Sequence, residues 1–273
     1  MNIQEALQWG ASKLSSLERP LLESEILLSF VLRQNRLYLH THFLDSLEDF
    51  DYKTYQNLIL RRCNEEPLEY LTQKVSFYEN EFYVDYGVLI PRPETEILVS
   101  KAKELIIAKN LKNIAEIGVG SGAISLSLAS LLPHCQFFGS DISAEALFYA
   151  FVNSYHSGVQ NLKLFRASYL DFNTQTIKFD LLLSNPPYIP QNYKLPKNVC
   201  YEPKKALFGG KKGDEILRHI ITLAYKQAIP YVICEIGYHQ KDELEDFICT
   251  FKPKKLEFYQ DFAKLYRGFV LEF

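Results

Sequence analysis

The residues in this chain best suited to chemistry lie in Leu183-Ser184-Asn185-Pro186-Pro187-Tyr188-Ile189. Pro186 and Pro187 have no N–H and a fixed φ, so the main chain leaves a preceding strand in one rigid direction. It offers carbonyls there and almost no donors. Asn185 adds a side-chain carbonyl and Tyr188 a flat aromatic face. A planar NH2 group has two hydrogens to donate and a face to stack on. Asn185, a proline carbonyl and Tyr188 can receive all three features together. The same residues would also make a proline-ended strand with a buried aromatic, so the rest of the sequence has to decide.

A second constellation lies upstream. Gly118-Val119-Gly120-Ser121-Gly122 follows a short strand pattern, Asn113 to Ile117, and precedes a helical pattern from Ala123 to Leu132. Glycines in such a turn let the backbone approach a ligand closely and expose N–H groups at a helix N-terminus. The spacing is G-x-G-x-G, unlike the G-x-G-x-x-G of NAD enzymes, and no G-K-[S/T] makes it a P-loop. Glu116 precedes the glycines, where it can order the loop or face a ligand ammonium. Asp141 follows them by about 20 positions, where a ribose diol would be gripped. Capping the helix from Ser143 onward is its other reading, and both roles can hold together. Tyr169, just past a third strand, can lie on an adenine ring or belong to the core. His40 and His42 have no acidic or cysteine partner nearby in sequence, and no metal is expected.

These groups need a scaffold. A chain of 273 residues, 47% of them hydrophobic, can fill one large domain or two unequal ones. With 30 basic against 33 acidic residues the net charge is -3, without the basic excess of a nucleic-acid or anionic-membrane binder. Cys63, Cys135, Cys200, Cys234 and Cys249 form no C-x-x-C pair and read as reduced, mostly buried thiols of a cytosolic protein. The N-terminus lacks a basic region followed by an apolar core, so no signal peptide is expected. No stretch approaches the roughly 20 apolar residues of a membrane span.

Helical spacing runs through residues 1–65: Ile3, Leu7 and Ala11, then Leu22, Ile26 and Phe30, then Tyr52, Tyr55, Leu58, Ile59 and Arg62, with Pro67 ending the helices. Phe77 to Asp85 reads as a β-hairpin with Glu79-Asn80 near its turn. Pro93 is expected to open a helix whose N-terminus suits Glu94 and Glu96. Strands and helices then alternate. The strands are Asn113–Ile117, Gln136–Asp141, Leu162–Phe165, Phe179–Ser184 and Tyr231–Gly237, with a closing antiparallel pair at Lys255–Tyr259 and Gly268–Phe273. The expected organisation is a helical domain over 1–75, a hairpin linker over 76–88 and an α/β domain over 89–273.

Glu116-Ile-Gly-Val-Gly-Ser-Gly122, Asp141 and Asn185-Pro-Pro-Tyr188 together resemble a Rossmann-like, seven-stranded class I S-adenosylmethionine-dependent methyltransferase that acts on a planar NH2 nitrogen. Asn-Pro-Pro-Tyr occurs in DNA adenine-N6 enzymes and in glutamine-N5 enzymes. The glutamine branch, the PrmC/HemK family, is also resembled by Pro67-Leu-Glu-Tyr-Leu71 with Phe77-Tyr78, by Ile90-Pro-Arg-Pro-Glu-Thr-Glu96, by Glu202-Pro203 through Gly209-Gly210, and by Cys234-Glu-Ile-Gly-Tyr-His-Gln240. The resemblance implies methyl transfer from S-adenosylmethionine to the N5 of the glutamine in the Gly-Gly-Gln motif of class I peptide chain release factors. A DNA or RNA adenine-N6 methyltransferase is the alternative. A non-catalytic cofactor-binding module would be expected to carry a damaged Asn-Pro-Pro-Tyr.

By the same resemblance, Glu116, Gly118, Val119, Gly120, Ser121, Gly122, Asp141, Tyr169 and Asn185 hold the cofactor. Asn185 and the Pro186 carbonyl accept from the substrate amide, Tyr188 packs on it and Pro187 completes the substrate site. Recognition of the release factor is the expected role of the helical domain, and a structural cap is its other reading. A cytoplasmic monomer without membrane or direct nucleic-acid contact is expected. The chain departs from the family at Gly209-Gly-Lys-Lys-Gly-Asp214, where Gly-Gly-x-Asp-Gly-Leu is usual, at Tyr169, where tryptophan is common, and at Glu116, where aspartate is commoner.

Overall fold

The computed structural model describes residues 1–173 and 177–273. They form two compact units, residues 1–74 with 196–201, and residues 75–195 with 202–273. The first unit holds α1 (Ile3–Lys13), α2 (Pro20–Leu32), α3 (Arg36–Thr41), α4 (Asp49–Cys63) and α5 (Leu68–Thr72). Asn2 and Glu5 close a reciprocal capping box at the start of α1, satisfying donors the helix itself cannot. Pro20 opens α2 at a first-turn position where its missing N–H costs nothing. Pro67 behaves likewise: it precedes α5 and starts a further helix instead of ending them.

The core of this unit gathers Ile3, Leu7, Leu27, Leu28, Leu39, Tyr55, Leu58 and Ile59. On α2 the buried face differs from the expected Leu22–Ile26–Phe30 stripe, and Phe30 is exposed. The helix is apolar nearly all round, so its pattern does not select a face. Polar Ser24 and Glu25 are buried instead, with Glu25 accepting from Arg36 at 2.5 Å and facing His40 at 3.3 Å. His42 stacks on Tyr38, so the two histidines diverge, and no metal-ligating cluster exists among the described residues.

The second unit begins at Val75, within the hairpin β1 (Lys74–Phe77) and β2 (Asn80–Tyr83), which is placed earlier than expected. Its turn uses Tyr78 and Glu79, both at positive φ, the two-residue geometry whose twist matches the flanking strands. Phe77 and Phe82 join one core with Leu98, Val99, Ile114 and Phe137. The chain continues through α6 (Thr95–Lys109), β3 (Asn113–Ile117), α7 (Ala123–Leu131), β4 (Gln136–Asp141), α8 (Ala144–Ser157), β5 (Leu162–Arg166), β6 (Leu181–Ser184) and β7 (Ile189–Pro190). It closes with α9 (Lys204–Leu207), β8 (Phe208–Gly210), α10 (Glu215–Lys226), β9 (Tyr231–Glu235), α11 (Lys241–Cys249), β10 (Lys255–Gln260) and β11 (Tyr266–Glu272). Thus α6 starts two residues after Pro93, following turns made by Thr95 and Glu96.

Seven strands form the main sheet in the order β10-β11-β9-β6-β3-β4-β5. Strands β9, β6, β3, β4 and β5 are parallel, and β11 runs antiparallel to both of its neighbours. Leu181 to Ser184 are all buried, as a central strand covered on both faces requires. The chain moves outward from β3 through β4 to β5 and then returns to the other side of β3 as β6. That reversal opens a crevice beyond the carboxyl ends of β3 and β6, where open α/β sheets bind ligands. The cysteines divide: Cys135 and Cys234 are buried, whereas Cys63, Cys200 and Cys249 are exposed, so burial is the minority case.

Candidate active site

A cleft of about 460 Å³ occupies the crevice, within the range of small-molecule sites. The end of β3 contributes Ile117, Gly118 and Gly120, and β4 contributes Ser140 and Asp141 followed by Ile142. Tyr169 comes from beyond β5, and β6 contributes Ser184 followed by Asn185, Pro186 and Pro187. Gly118 and Gly120 have φ of 73° and 57°, a conformation L side chains rarely adopt, and a Cβ on either would meet nothing within 4 Å. The loop therefore presents bare backbone to open space.

Asp141 is locked in place. Its Oδ2 accepts from Gly120 N at 3.0 Å and its Oδ1 from Ser143 N at 2.9 Å. The cap of α8 is Ser143, whose hydroxyl accepts from Ala146 N, so Asp141 remains directed at the cleft. Burial pushes the Asp141 carboxyl up from its ordinary value, against the lowering effect of its backbone donors. The cleft has the parts S-adenosylmethionine needs: backbone N–H groups at a glycine turn, a carboxylate at the end of the second parallel strand, and an aromatic ring, Tyr169, packed at 4.2 Å from His219.

Glu116, Val119, Ser121, Gly122 and Tyr188 are not among the cleft-lining residues. Glu116 is 1% exposed and accepts from Ser125 N at 3.0 Å and from the Ser125 hydroxyl, pinning the glycine turn to the first turn of α7. Desolvation raises its carboxyl to about 8. Val119 is buried beside Gly139, and the Ser121 carbonyl accepts from Asn153 at 2.9 Å. Asn153, which no motif singled out, also exchanges hydrogen bonds of 2.7 and 3.0 Å with the Tyr83 backbone, tying hairpin to glycine turn.

At the end of β6, Asn185 Nδ2 donates to Thr95 Oγ1 at 3.1 Å, and Oδ1 has no protein partner among the described residues. The Tyr188 hydroxyl donates to Glu235 Oε1 at 3.1 Å, and Thr95 Oγ1 donates to Glu235 Oε2 at 2.6 Å. Burial and the Glu235 charge push the Tyr188 hydroxyl far up, so it stays protonated. Gln240 Nε2 holds the Tyr188 carbonyl at 3.3 Å, while its Oε1 accepts from Gly237 N at 2.8 Å. The atypical Gly209–Asp214 loop braces the same segment. β8 pairs with β7, and a Cβ at Gly209 would collide with the Pro187 carbonyl oxygen. Glu202, buried, accepts from Ile90 N at 3.1 Å and pairs with Arg92, fixing the Pro-Arg-Pro stretch that precedes Thr95.

Two family models match the chain: the PrmC N-terminal domain over residues 5–72 and the methyltransferase small domain over residues 93–207. A release factor glutamine methyltransferase of Dictyoglomus turgidum is 38% identical over 87% of each chain. One of Buchnera aphidicola subsp. Baizongia pistaciae is 35% identical over 96% of each. The N-terminal domain of human METTL16, solved with SAH, shares the fold at 14% identity with a TM-score of 0.53, covering 90% of this chain and 94% of its own. Sheet order, glycine turn and cleft define a Rossmann-like class I S-adenosylmethionine-dependent methyltransferase. Within that class the chain belongs to the release factor glutamine methyltransferase family.

Proposed function

We propose that the chain transfers a methyl group from S-adenosylmethionine to the N5 of the glutamine in the Gly-Gly-Gln motif of class I release factors. The observation that carries the reading is the acceptor-only end of β6. Asn185 turns its NH2 toward Thr95, to which it donates one hydrogen bond, leaving Oδ1 for the cleft, and Pro186 and Pro187 have no N–H to offer. An amide NH2 entering the cleft can give its two hydrogens to two acceptors there, the Asn185 carbonyl and the Pro186 carbonyl. A hydroxyl or carbonyl nucleophile would leave one of them unmatched.

When bound, S-adenosylmethionine supplies an electrophilic methyl on a sulfonium. Gly118 and Gly120 would hold it along the bare turn, Asp141 would accept from its ribose hydroxyls and Tyr169 would offer a face to its adenine. Asn185 and Pro186 activate the nucleophile. An amide lone pair is delocalised into its carbonyl, and accepting hydrogen bonds from both N–H groups draws it back to nitrogen and aims it. Preorganised positioning of this kind is worth several kcal/mol. No general base is assigned, because the proton leaves after methylation has made the nitrogen acidic. Pro187 and Tyr188 hold the main chain just beyond the two acceptors in shape.

The helical unit, with its own core, is assigned to docking of the release factor. The chain works as a cytoplasmic monomer without nucleic acid, in keeping with its balance of 30 basic and 33 acidic residues. No described helix is long and apolar enough to cross a membrane. The test is a peptide pair. A Gly-Gly-Gln peptide should gain a methyl and a Gly-Gly-Asn peptide should gain little, since its shorter side chain does not reach both acceptors. Equal methylation of the two would overturn the reading.

A further inference from the structure

We propose that Glu235, acting through Thr95, is a positioning residue that holds the Asn185 amide with its oxygen toward the methyl-accepting nitrogen. The inference rests on the functional reading above for what that nitrogen is, and on hydrogen-bond logic for the rest. An amide side chain is nearly symmetric in shape, so packing alone does not choose which of its ends faces the cleft. The choice matters here, because an NH2 turned toward the substrate would oppose donors with donors.

The structure supplies a chain that makes the choice. Ionised Glu235 only accepts. Its two oxygens take one proton each, from Thr95 Oγ1 at 2.6 Å and from the Tyr188 hydroxyl at 3.1 Å. Thr95 has one hydroxyl proton, and once it is given to Glu235 the Thr95 oxygen can only accept. Asn185, 3.1 Å away, must therefore present Nδ2 to Thr95 and keep Oδ1 for the cleft. Thr95 and Glu235 are each 3% exposed, so water does not compete for these bonds. The relay joins three separate stretches of the chain, with Thr95 beside the Pro-Arg-Pro turn, Glu235 at the end of β9, and Asn185 to Tyr188 beyond β6.

The direction of the relay depends on the charge of Glu235. A protonated carboxyl can donate to Thr95, which releases the Thr95 proton toward Asn185 and lets the amide turn over. Burial raises the Glu235 carboxyl to about 7, against the lowering effects of Thr95, Tyr188 and Arg267, while Glu94 adds to the rise. The other titratable groups beside it are Tyr259 on β10 and Cys234 on β9, both held protonated by burial. A carboxylate with a raised value is ionised only above it, so a correctly set relay belongs to the alkaline side of about 7.

The experiment compares Thr95→Val, Thr95→Ser and Glu235→Gln in the full-length chain. It measures kcat and KM on a Gly-Gly-Gln peptide, S-adenosylmethionine affinity by calorimetry, and the side-chain amide resonances of Asn185 in nitrogen-labelled protein. Thr95→Val, of the same shape without the hydroxyl, should lower kcat by at least about tenfold, the worth of one good hydrogen bond. Cofactor affinity should stay within about twofold, because the relay acts on the acceptor side of the cleft. Thr95→Ser should restore most of the kcat. In the wild type, the Asn185 amide resonances and kcat should both move with pH around 7, and Glu235→Gln should remove both transitions. Full kcat in Thr95→Val, or Thr95→Ser as impaired as Thr95→Val, would overturn the proposal by reducing Thr95 to packing. So would Asn185 resonances that ignore Thr95→Val. A wild type that methylates no Gly-Gly-Gln peptide would defeat the functional reading alone, and the resonances would still decide the relay.

Discussion

Replacing Asp141 with alanine gives the sharpest test of the cofactor half of the cleft. A carboxylate offers about four lone-pair directions. Gly120 N at 3.0 Å and Ser143 N at 2.9 Å take two, and the Ile142 N–H also bears on the carboxylate, so only the remaining capacity is left for a ligand in the cleft that Asp141 lines. A ribose diol has two hydroxyls to donate. Hydrogen bonds to a charged acceptor are worth roughly 1.5–3 kcal/mol each, and water in the empty variant recovers part of that. A net loss of about 1.5–3 kcal/mol corresponds to about ten- to hundredfold weaker S-adenosylmethionine binding. The variant also leaves two loop N–H groups to water, so the glycine turn should loosen while the sheet stays folded. Because burial raises the Asp141 carboxyl, wild-type affinity should fall on acidification sooner than for an ordinary aspartate. Titration calorimetry across pH, with circular dichroism as the folding control, measures both effects. Unchanged affinity in a folded Asp141→Ala protein would remove Asp141 from the site.

Three further outcomes are expected. Asn185→Ala should abolish turnover with little change in cofactor affinity, since its carbonyl acts mainly in the transition state; near-normal kcat in a single-turnover assay would refute the two-acceptor mechanism. Glu116→Gln should flatten the pH dependence of stability. The folded carboxyl at about 8 binds a proton that the unfolded chain releases near 4.5, so stability falls as pH rises through that window. Denaturant titrations at mildly acidic and mildly alkaline pH should show the wild type losing roughly 2 kcal/mol more than the variant, and equal losses would contradict the burial account. Gly209→Ala would drive a Cβ into the Pro187 and Gly213 carbonyl oxygens, so kcat should drop with a lower melting temperature, whereas a neutral variant would show that the loop does not brace the site.

Much of the fold could be read from local pattern. Strand β3, the glycine turn and α7 fall within a residue of expectation, because glycine punctuation and an apolar run are adjacent in sequence. The end of β6 was equally plain, since two prolines cannot continue a central strand. What escaped depends on partners far along the chain. Thr95 meets Asn185 across 90 positions and Glu235 across 140, and neither spacing leaves a local mark. Ser24 and Glu25 are buried on α2 because their partners, Tyr55 and Arg36, come from other helices. The hairpin turn at Tyr78-Glu79 carries no glycine to betray its positive φ. Glu116 and Val119 sit in the right motif, yet their side chains support the turn from beneath and do not line the cleft.

One measurement distinguishes a protein glutamine from a nucleic-acid base as the nucleophile. Full-length protein is incubated with isotope-labelled S-adenosylmethionine, an intact class I release factor and duplex DNA in the same tube, and the products are mapped by mass spectrometry. One added methyl is expected on the side-chain nitrogen of the Gly-Gly-Gln glutamine, with the DNA unlabelled. Label on adenine in the DNA with none on the release factor would contradict it.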